Sequence, residues 1–310
     1  MAKNHTPCGI EVPQQFFDGP VDMEHIRKFV VKAETLGCDS LWLQERIISD
    51  FAMLEPVTLL SYVAAVTTKL RLGVSVILLT LRNPVQLAKA YSTLDNLSGG
   101  RVALGVGLGG GHLGSHEEVF GYVRDKRVTR FTEAVRVMKV LWTESRASFQ
   151  GHFWNFTDIA MEPKPVQKPH LPLWFGGHHE NALKRAVKLG NGWMGAGSSS
   201  SNAFIRESAQ IRQFLEETKR DPATFGISKR VYLAVDDDKV RAERRIRDWF
   251  GRRYNNSELG PRVAIWGGTE ECSEKIRAFV KAGAEHIVFN PMFDEMEHLE
   301  ICAKEIMPHL

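Results

Sequence analysis

The sequence predicts an α/β protein built as a single (β/α)8 TIM barrel with insertions in its loops. Three observations carry that expectation. Short apolar runs rich in β-branched residues alternate with amphipathic helical patterns along the whole chain. Eight such pairs can be counted. A chain of 310 residues is also about the length that an eightfold barrel needs, whereas runs of strands followed by runs of helices would have argued for separate layers.

Residues 8–14 (CGIEVPQ) are the first strand-like run. They lead into VDMEHIRKFVVKAETLG, where Ile26, Phe29, Val30, Ala33 and Leu36 recur at helical spacing and Gly37 supplies the stop. SLWLQE at 40–45 is the second strand and EPVTLLSYVAAVTT its helix. LRLGVSVILL at 70–79 is the third strand, almost continuously apolar, as a strand covered on both faces requires. A helix is expected at 84–96 and a fourth strand at 101–109. The helix at 128–142 carries Val128, Phe131, Val135, Met138 and Trp142 on one side. The remaining strands are expected at 171–177, 192–197, 230–236 and 286–291, each followed by a helical pattern, at 179–189, 203–219, 238–250 and 294–306. The additional segments are 110–127, 145–170 and 251–283, the last with one more helix near 269–282. No repeat, low-complexity tract or linker divides the chain, so residues 1–310 are expected to form one domain.

Composition narrows the function. The net charge of +3 is spread over 40 basic and 37 acidic residues, which gives no basic field for nucleic acid. Cys8, Cys38, Cys272 and Cys302 are widely spaced and form no C-x-x-C pair, which suits a reducing cytoplasm. The N-terminus lacks a cationic region followed by an apolar core, and the longest apolar stretch, 72–81, is about half of what a membrane-spanning helix needs. The expected partner is a small-molecule substrate, with no nucleic acid and no membrane.

The segment LSGGRVALGVGLGGG at 97–111 contains Gly105, Gly107 and Gly110 in G-x-G-x-x-G spacing. No helix follows at once and no acidic residue closes a second strand at the right distance, so a dinucleotide turn is not expected. In a barrel these glycines fall at the C-terminal end of the fourth strand, where active sites sit. Bare backbone at Gly107, Gly109 and Gly110 is expected to let a flat ligand approach. Gly105, deeper in the strand, is expected only to fit a crowded interior. The aromatic run FQGHFWNF at 149–156 joins a helix to a strand and is expected to close the barrel bottom as a hairpin, away from any site. His112, His116 and Glu117, and His178, His179 and Glu180, lie in strand-end loops, but neither group has metalloprotease order, and no metal is expected.

The run EPVTLLSYVAAVTTKLRLGVSVILLTLRNPVQLAKAYSTLDNLSGGRVALGVGLG, the later LPLWFGG and the NGW at 191–193 resemble the luciferase-like monooxygenase superfamily. That group contains flavin monooxygenases using FMN and oxidoreductases using the deazaflavin coenzyme F420. The resemblance covers most of residues 8–197 in order, and is looser in the C-terminal third. It implies a barrel, commonly a homodimer, that binds F420 and transfers hydride to or from a small organic substrate. An FMN-dependent monooxygenase is the alternative, and a flavin-binding barrel without catalysis a further one.

Position by position, the resemblance marks a site. Glu45, at the end of the second strand, stands where deazaflavin members have an acid near the ring, and its charge is expected to be isolated and surface-like. Arg46 follows it where many relatives have histidine. Arginine stays protonated, so it suits stabilising negative charge and not acid–base work. Glu45 and Arg46 are the candidate catalytic residues. Ser75 and Val76 match a strand bulge that holds a non-proline cis peptide behind the ring in deazaflavin-using relatives. Gly107, Leu108, Gly109 and Gly110 are implied beside the cofactor, with Gly110 standing where one branch has a glutamate. Gly176 and Gly177, with His178 next to them, match the backbone that holds the cofactor phosphate, and Trp193 is in the region of the cofactor side chain.

Overall fold

The computed structural model describes residues 6–109, 119–121 and 126–310. Eight parallel strands close on themselves: β1 (Cys8–Glu11), β2 (Ser40–Leu43), β3 (Arg71–Leu78), β4 (Val102–Gly107), β5 (Leu173–Gly176), β6 (Gly192–Gly195), β7 (Gly226–Val235) and β8 (His286–Pro291). Neighbours in sequence are neighbours in the ring, and Cys8 opposite Ile287 joins the last strand to the first. The expected (β/α)8 barrel is what forms. The α-helices longer than one turn are α1 (Met23–Thr35), α2 (Pro56–Val66), α3 (Pro84–Ser98), α4 (Arg127–Thr143), α5 (Glu180–Leu189), α6 (Ser201–Glu217), α7 (Lys239–Tyr254), α8 (Thr269–Lys281) and α9 (Glu295–Ile301).

Local chemistry sets their ends. Asp22, Glu55, Asn83, Ser200 and Asp238 each accept a backbone N–H of the helix they precede, and Pro56 and Pro84 stand at first-turn positions where a missing N–H costs nothing. Gly99 closes α3 in the left-handed conformation, at φ 66°. The main core lies between strands and helices. A smaller one fills the barrel with Trp42, Ala103, Met194 and Val288. Below it His286 is bonded on both ring nitrogens, by the hydroxyls of Ser40 and Ser228 at 2.9 Å each, and burial pushes its pKa down to about 4.

Three features depart from the sequence expectation. β7 begins at Gly226 and not at residue 230, because Ser228 and Lys229 are polar yet buried. A short strand, Ile265–Gly267, lies parallel to the end of β7 inside a segment expected to hold only a helix. The aromatic hairpin (Ala147–Gln150 with Asn155–Ile159) does not stay at the barrel bottom. Its tip lies on the first turns of α4. Glu133 accepts the backbone N–H of His152 and Phe153 at 2.8 Å each, and the Arg130 guanidinium lies over the rings of Phe153 and Trp154. Arg130 also donates to the Thr80 carbonyl just past β3. Chain order shows where a connection is attached; the hydrogen bonds and ring contacts of its tip decide how far it climbs.

Candidate active site

The C-terminal ends of the strands converge on a bulge in β3. Its register against β4 shifts between Val74 and Ile77, and the Ser75–Val76 peptide is cis. The Ser75 carbonyl accepts from the Arg230 guanidinium at 3.0 Å. The Val76 side chain, half-buried, turns toward three glycines. A Cβ would stand 2.6 Å from its Cγ2 at Gly107 and 3.2 Å from its Cγ1 at Gly105 and at Gly176. The bare backbone at Gly107 therefore makes room for Val76 first, which corrects the expectation that it is kept open for a ligand. Gly109 has a positive φ of 82°, a conformation that itself favours glycine, and the Leu108 carbonyl accepts from Thr80 at 3.1 Å. Gly110 lies outside the described residues, as do His112, His116 and Glu117.

Beside the bulge is a buried polar network that spacing alone did not reveal. Glu11, at the end of β1, accepts from Gln44, from Asn290 at 2.9 Å, from Arg230 at 3.2 Å and from the Ser75 hydroxyl at 3.4 Å. Burial pushes the Glu11 pKa up, while Arg230 and Gln44 pull the other way. Arg230 also donates to the Tyr232 hydroxyl, which is bonded in turn to the Tyr254 hydroxyl at the end of α7. Gln14 ties the network to β2, accepting from the Gln44 backbone N–H at 2.6 Å and donating to the Gln44 carbonyl at 2.9 Å. Two signals were available in the sequence: an acid inside the apolar run CGIEVPQ, and Arg230 and Tyr232 two apart on one face of a strand.

Glu45 is not an isolated surface charge, as the sequence led us to expect. Its side chain is fully buried. The carboxylate accepts from Arg82 Nε at 2.8 Å and Nη2, and from the Leu78 backbone N–H, and Arg82 reaches on to Glu55 at 2.8 Å. Burial raises the Glu45 pKa against the pull of Arg82. The residue clamps the end of β2 to the end of β3. Arg46, half-buried, donates to the Arg253 carbonyl at 2.6 Å and lies 5.4 Å from the Phe51 ring centre.

Across the mouth, Gly176 ends β5 and Gly177 turns into α5 at φ 131°, where a Cβ would stand 2.9 Å from that of Ala182. His178 is exposed, and His179 caps the helix by accepting from the Asn181 N–H at 3.2 Å. Trp193 is buried in the core, stacked on Phe204 with centroids 5.5 Å apart. It reaches the turn from beneath, through an Nε1 bond to the Gly177 carbonyl at 2.8 Å. Lys229 steadies the neighbouring loop through the Ala196 carbonyl and both oxygens of Ser199, and burial pushes its pKa down to about 7.

Among the described residues no three His, Cys, Asp or Glu side chains come together as a metal site, and no helix is long and apolar enough to cross a membrane. The model of the luciferase-like monooxygenase family matches residues 3–261. An F420-dependent glucose-6-phosphate dehydrogenase of Kineococcus radiotolerans is 26% identical, with 91% of each chain covered. An FMNH2-dependent dimethylsulfone monooxygenase of Pseudomonas putida is 30% identical over 57% of this chain and 50% of its own. Among solved structures, an F420-dependent secondary alcohol dehydrogenase in complex with an F420–acetone adduct superposes with a TM-score of 0.85 at 19% identity, covering 98% of this chain and 99% of its own.

Proposed function

The chain belongs to the luciferase-like monooxygenase family, and from that premise we propose that it is an oxidoreductase that binds coenzyme F420 at the barrel mouth and serves hydride transfer to or from a small organic substrate. The observation that carries the choice of cofactor is the bulge at Ser75–Val76, backed by Arg230. The F420-dependent relative that matches nearly the whole chain supports it. When bound, such a coenzyme supplies hydride chemistry with little reactivity toward oxygen.

The residues present fit the group. The turn at Gly177 opens a helix whose N-terminal dipole suits a phosphate, and Arg230 has a buried Nε without a partner beside the bulge. Ser75 and Val76 give the ring a backing, with Leu108 and Gly109 at its edge. Gly107 acts through the seat it leaves for Val76. Gly176, Gly177 and His178 hold phosphate, and Trp193 positions that turn from below. Arg230, with fixed charge next to the Ser75 carbonyl, stabilises negative charge near the ring. Glu45 is a positioning residue that keeps β2 and β3 in register at the mouth. Arg46 faces the substrate side. A homodimer in the cytoplasm belongs to the same proposal, the first from the family and the second from four widely spaced free cysteines.

An FMN-dependent monooxygenase is the second reading, favoured by the Pseudomonas relative. The two separate in one experiment. The purified protein is titrated with F420 and with FMN, and oxygen uptake is followed with candidate substrates. Saturable F420 binding and a substrate-linked change in coenzyme absorbance under anaerobic conditions are expected. Tight binding of FMN alone, with substrate-dependent oxygen consumption, refutes the proposal.

A further inference from the structure

Among the described residues, two guanidiniums at the mouth make no salt bridge. Arg253, in the last turn of α7, is 5% exposed. One of its terminal nitrogens donates to Gln44 Oε1 at a long 3.4 Å, and its buried Nε has no acceptor. Among the described residues no carboxylate oxygen lies within 4 Å of Arg253 or of Arg46. The two are nonetheless held together. Arg46 donates to the Arg253 carbonyl, and their guanidinium carbons lie 5.4 and 5.7 Å from the centre of the same Phe51 ring. The nearby carboxylate of Glu11 is already engaged by Arg230, Gln44 and Asn290.

A buried cation without a partner is costly, and two of the same sign side by side are costlier. Burial and then Arg253 push the Arg46 pKa down, against the opposite pull of Tyr254 and Asp50. A third arginine nearby makes the contrast. Arg252, next in sequence, is exposed and paired with Asp18 at 2.7 Å. Among the described residues the direct ion pair thus goes to the exposed arginine, and the two positions toward the mouth are left without one. A guanidinium offers a planar fork of donors that matches the oxygens of a carboxylate or a phosphate. The cofactor's own phosphate has another place, since the Gly177 turn follows β5 and is separated from β2 in the ring by β3 and β4.

We propose that Arg46 and Arg253 form the docking site for an oxyanion on the substrate, so that the enzyme takes small organic substrates bearing a carboxylate or a phosphate. This rests on the assignment of the mouth as the redox site. The test uses cofactor-free protein, titrated calorimetrically with inorganic phosphate and with acetate at low salt, for the wild type, Arg46→Gln, Arg253→Gln and the control Arg252→Gln. Saturable binding of one anion is expected in the wild type and the control. Each of the other variants should weaken it by about tenfold or more, the loss of one charge-assisted hydrogen bond. Which anion binds tells phosphate from carboxylate. Both variants should keep wild-type affinity for F420. The proposal is overturned by absence of saturable anion binding, by equal binding in all four proteins, as for an adventitious ion only, or by a parallel loss of F420 affinity, which would give the arginines to the cofactor. If Arg253→Gln does not fold, Arg46→Gln, at a half-exposed position, carries the comparison. Failure of the wild type to bind F420 while anion binding behaves as expected would overturn the functional proposal and the substrate assignment, and leave the anion site standing.

Discussion

Gly107→Ala tests what the glycine-rich strand end is for. The new Cβ would stand 2.6 Å from Val76 Cγ2, and ordinary contact begins near 3.4 Å, so about 0.8 Å must come from movement of one strand against the other. Val76 has little room to retreat, because its other methyl faces the backbone of Gly105 and Gly176. Overpacking of this kind costs typically ~1–3 kcal/mol. With an unfolding entropy of about 2.1 cal/mol/K per residue, a chain of 310 residues loses ~1.5 °C in Tm per kcal/mol, so Gly107→Ala should lower Tm by roughly 1.5–5 °C. The same clash pushes Val76 toward the proposed ring position, and F420 affinity should fall with it. The decisive arm is the double variant. Val76→Ala removes the methyl groups that the new Cβ meets, so Gly107→Ala/Val76→Ala should recover most of the loss, with a coupling energy above about 0.5 kcal/mol. Thermal unfolding of the four proteins measures it. Additive effects would refute the pairing of Gly107 with Val76 and return the glycine to direct contact with a ligand.

Arg230→Met strands the buried Glu11 carboxylate and should cost about 3–5 kcal/mol, read as a Tm fall of roughly 5–8 °C, while Glu11→Gln/Arg230→Met should recover a large part of it. A double variant as unstable as the single one would contradict the ion pair. Trp193→Phe keeps the stack on Phe204 but removes the bond to the Gly177 carbonyl; a loss of about 1 kcal/mol and weaker F420 binding are expected, and unchanged affinity in a fluorescence titration would count against a role for Trp193 in positioning the proposed phosphate turn. His286, neutral and bonded at both nitrogens, has a folded pKa of about 4, below its unfolded value of about 6.5. The unfolded chain therefore binds the proton first, and stability should be lost as pH falls from about 6.5 toward 4. A Tm profile over that range should flatten in His286→Gln, and an identical slope in both proteins would count against it.

The barrel was legible because its strands are apolar runs bounded by turn residues, as in LRLGVSVILL and HIVFNP, and because helical periodicity such as that of Ile26, Phe29, Val30, Ala33 and Leu36 runs up to a stop at Gly37. Where polar residues are buried, that pattern fails, and the first part of β7, from Gly226 through the buried Ser228 and Lys229, escapes it for this reason. The site was less legible. Glu11 and Arg230 are 219 residues apart, and nothing local tells either that it will meet the other. The bulge at Ser75–Val76 leaves no mark in an apolar pattern and entered through resemblance. Glu45 follows a buried strand and was expected exposed; its partner Arg82 lies on the next strand's exit, out of reach of any local rule. The aromatic hairpin was misplaced because its attachment points are known from chain order but its tip is held by Glu133 and Arg130.

The most direct test of the proposed function is a crystal structure of the protein with bound F420. The expected result is a ring seated against the Ser75–Val76 bulge with Arg230 behind it, and a phosphate at the turn of Gly176, Gly177 and His178. A cofactor bound elsewhere, or a bulge left uncovered while the protein is saturated, would contradict the assignment of this mouth as the redox site.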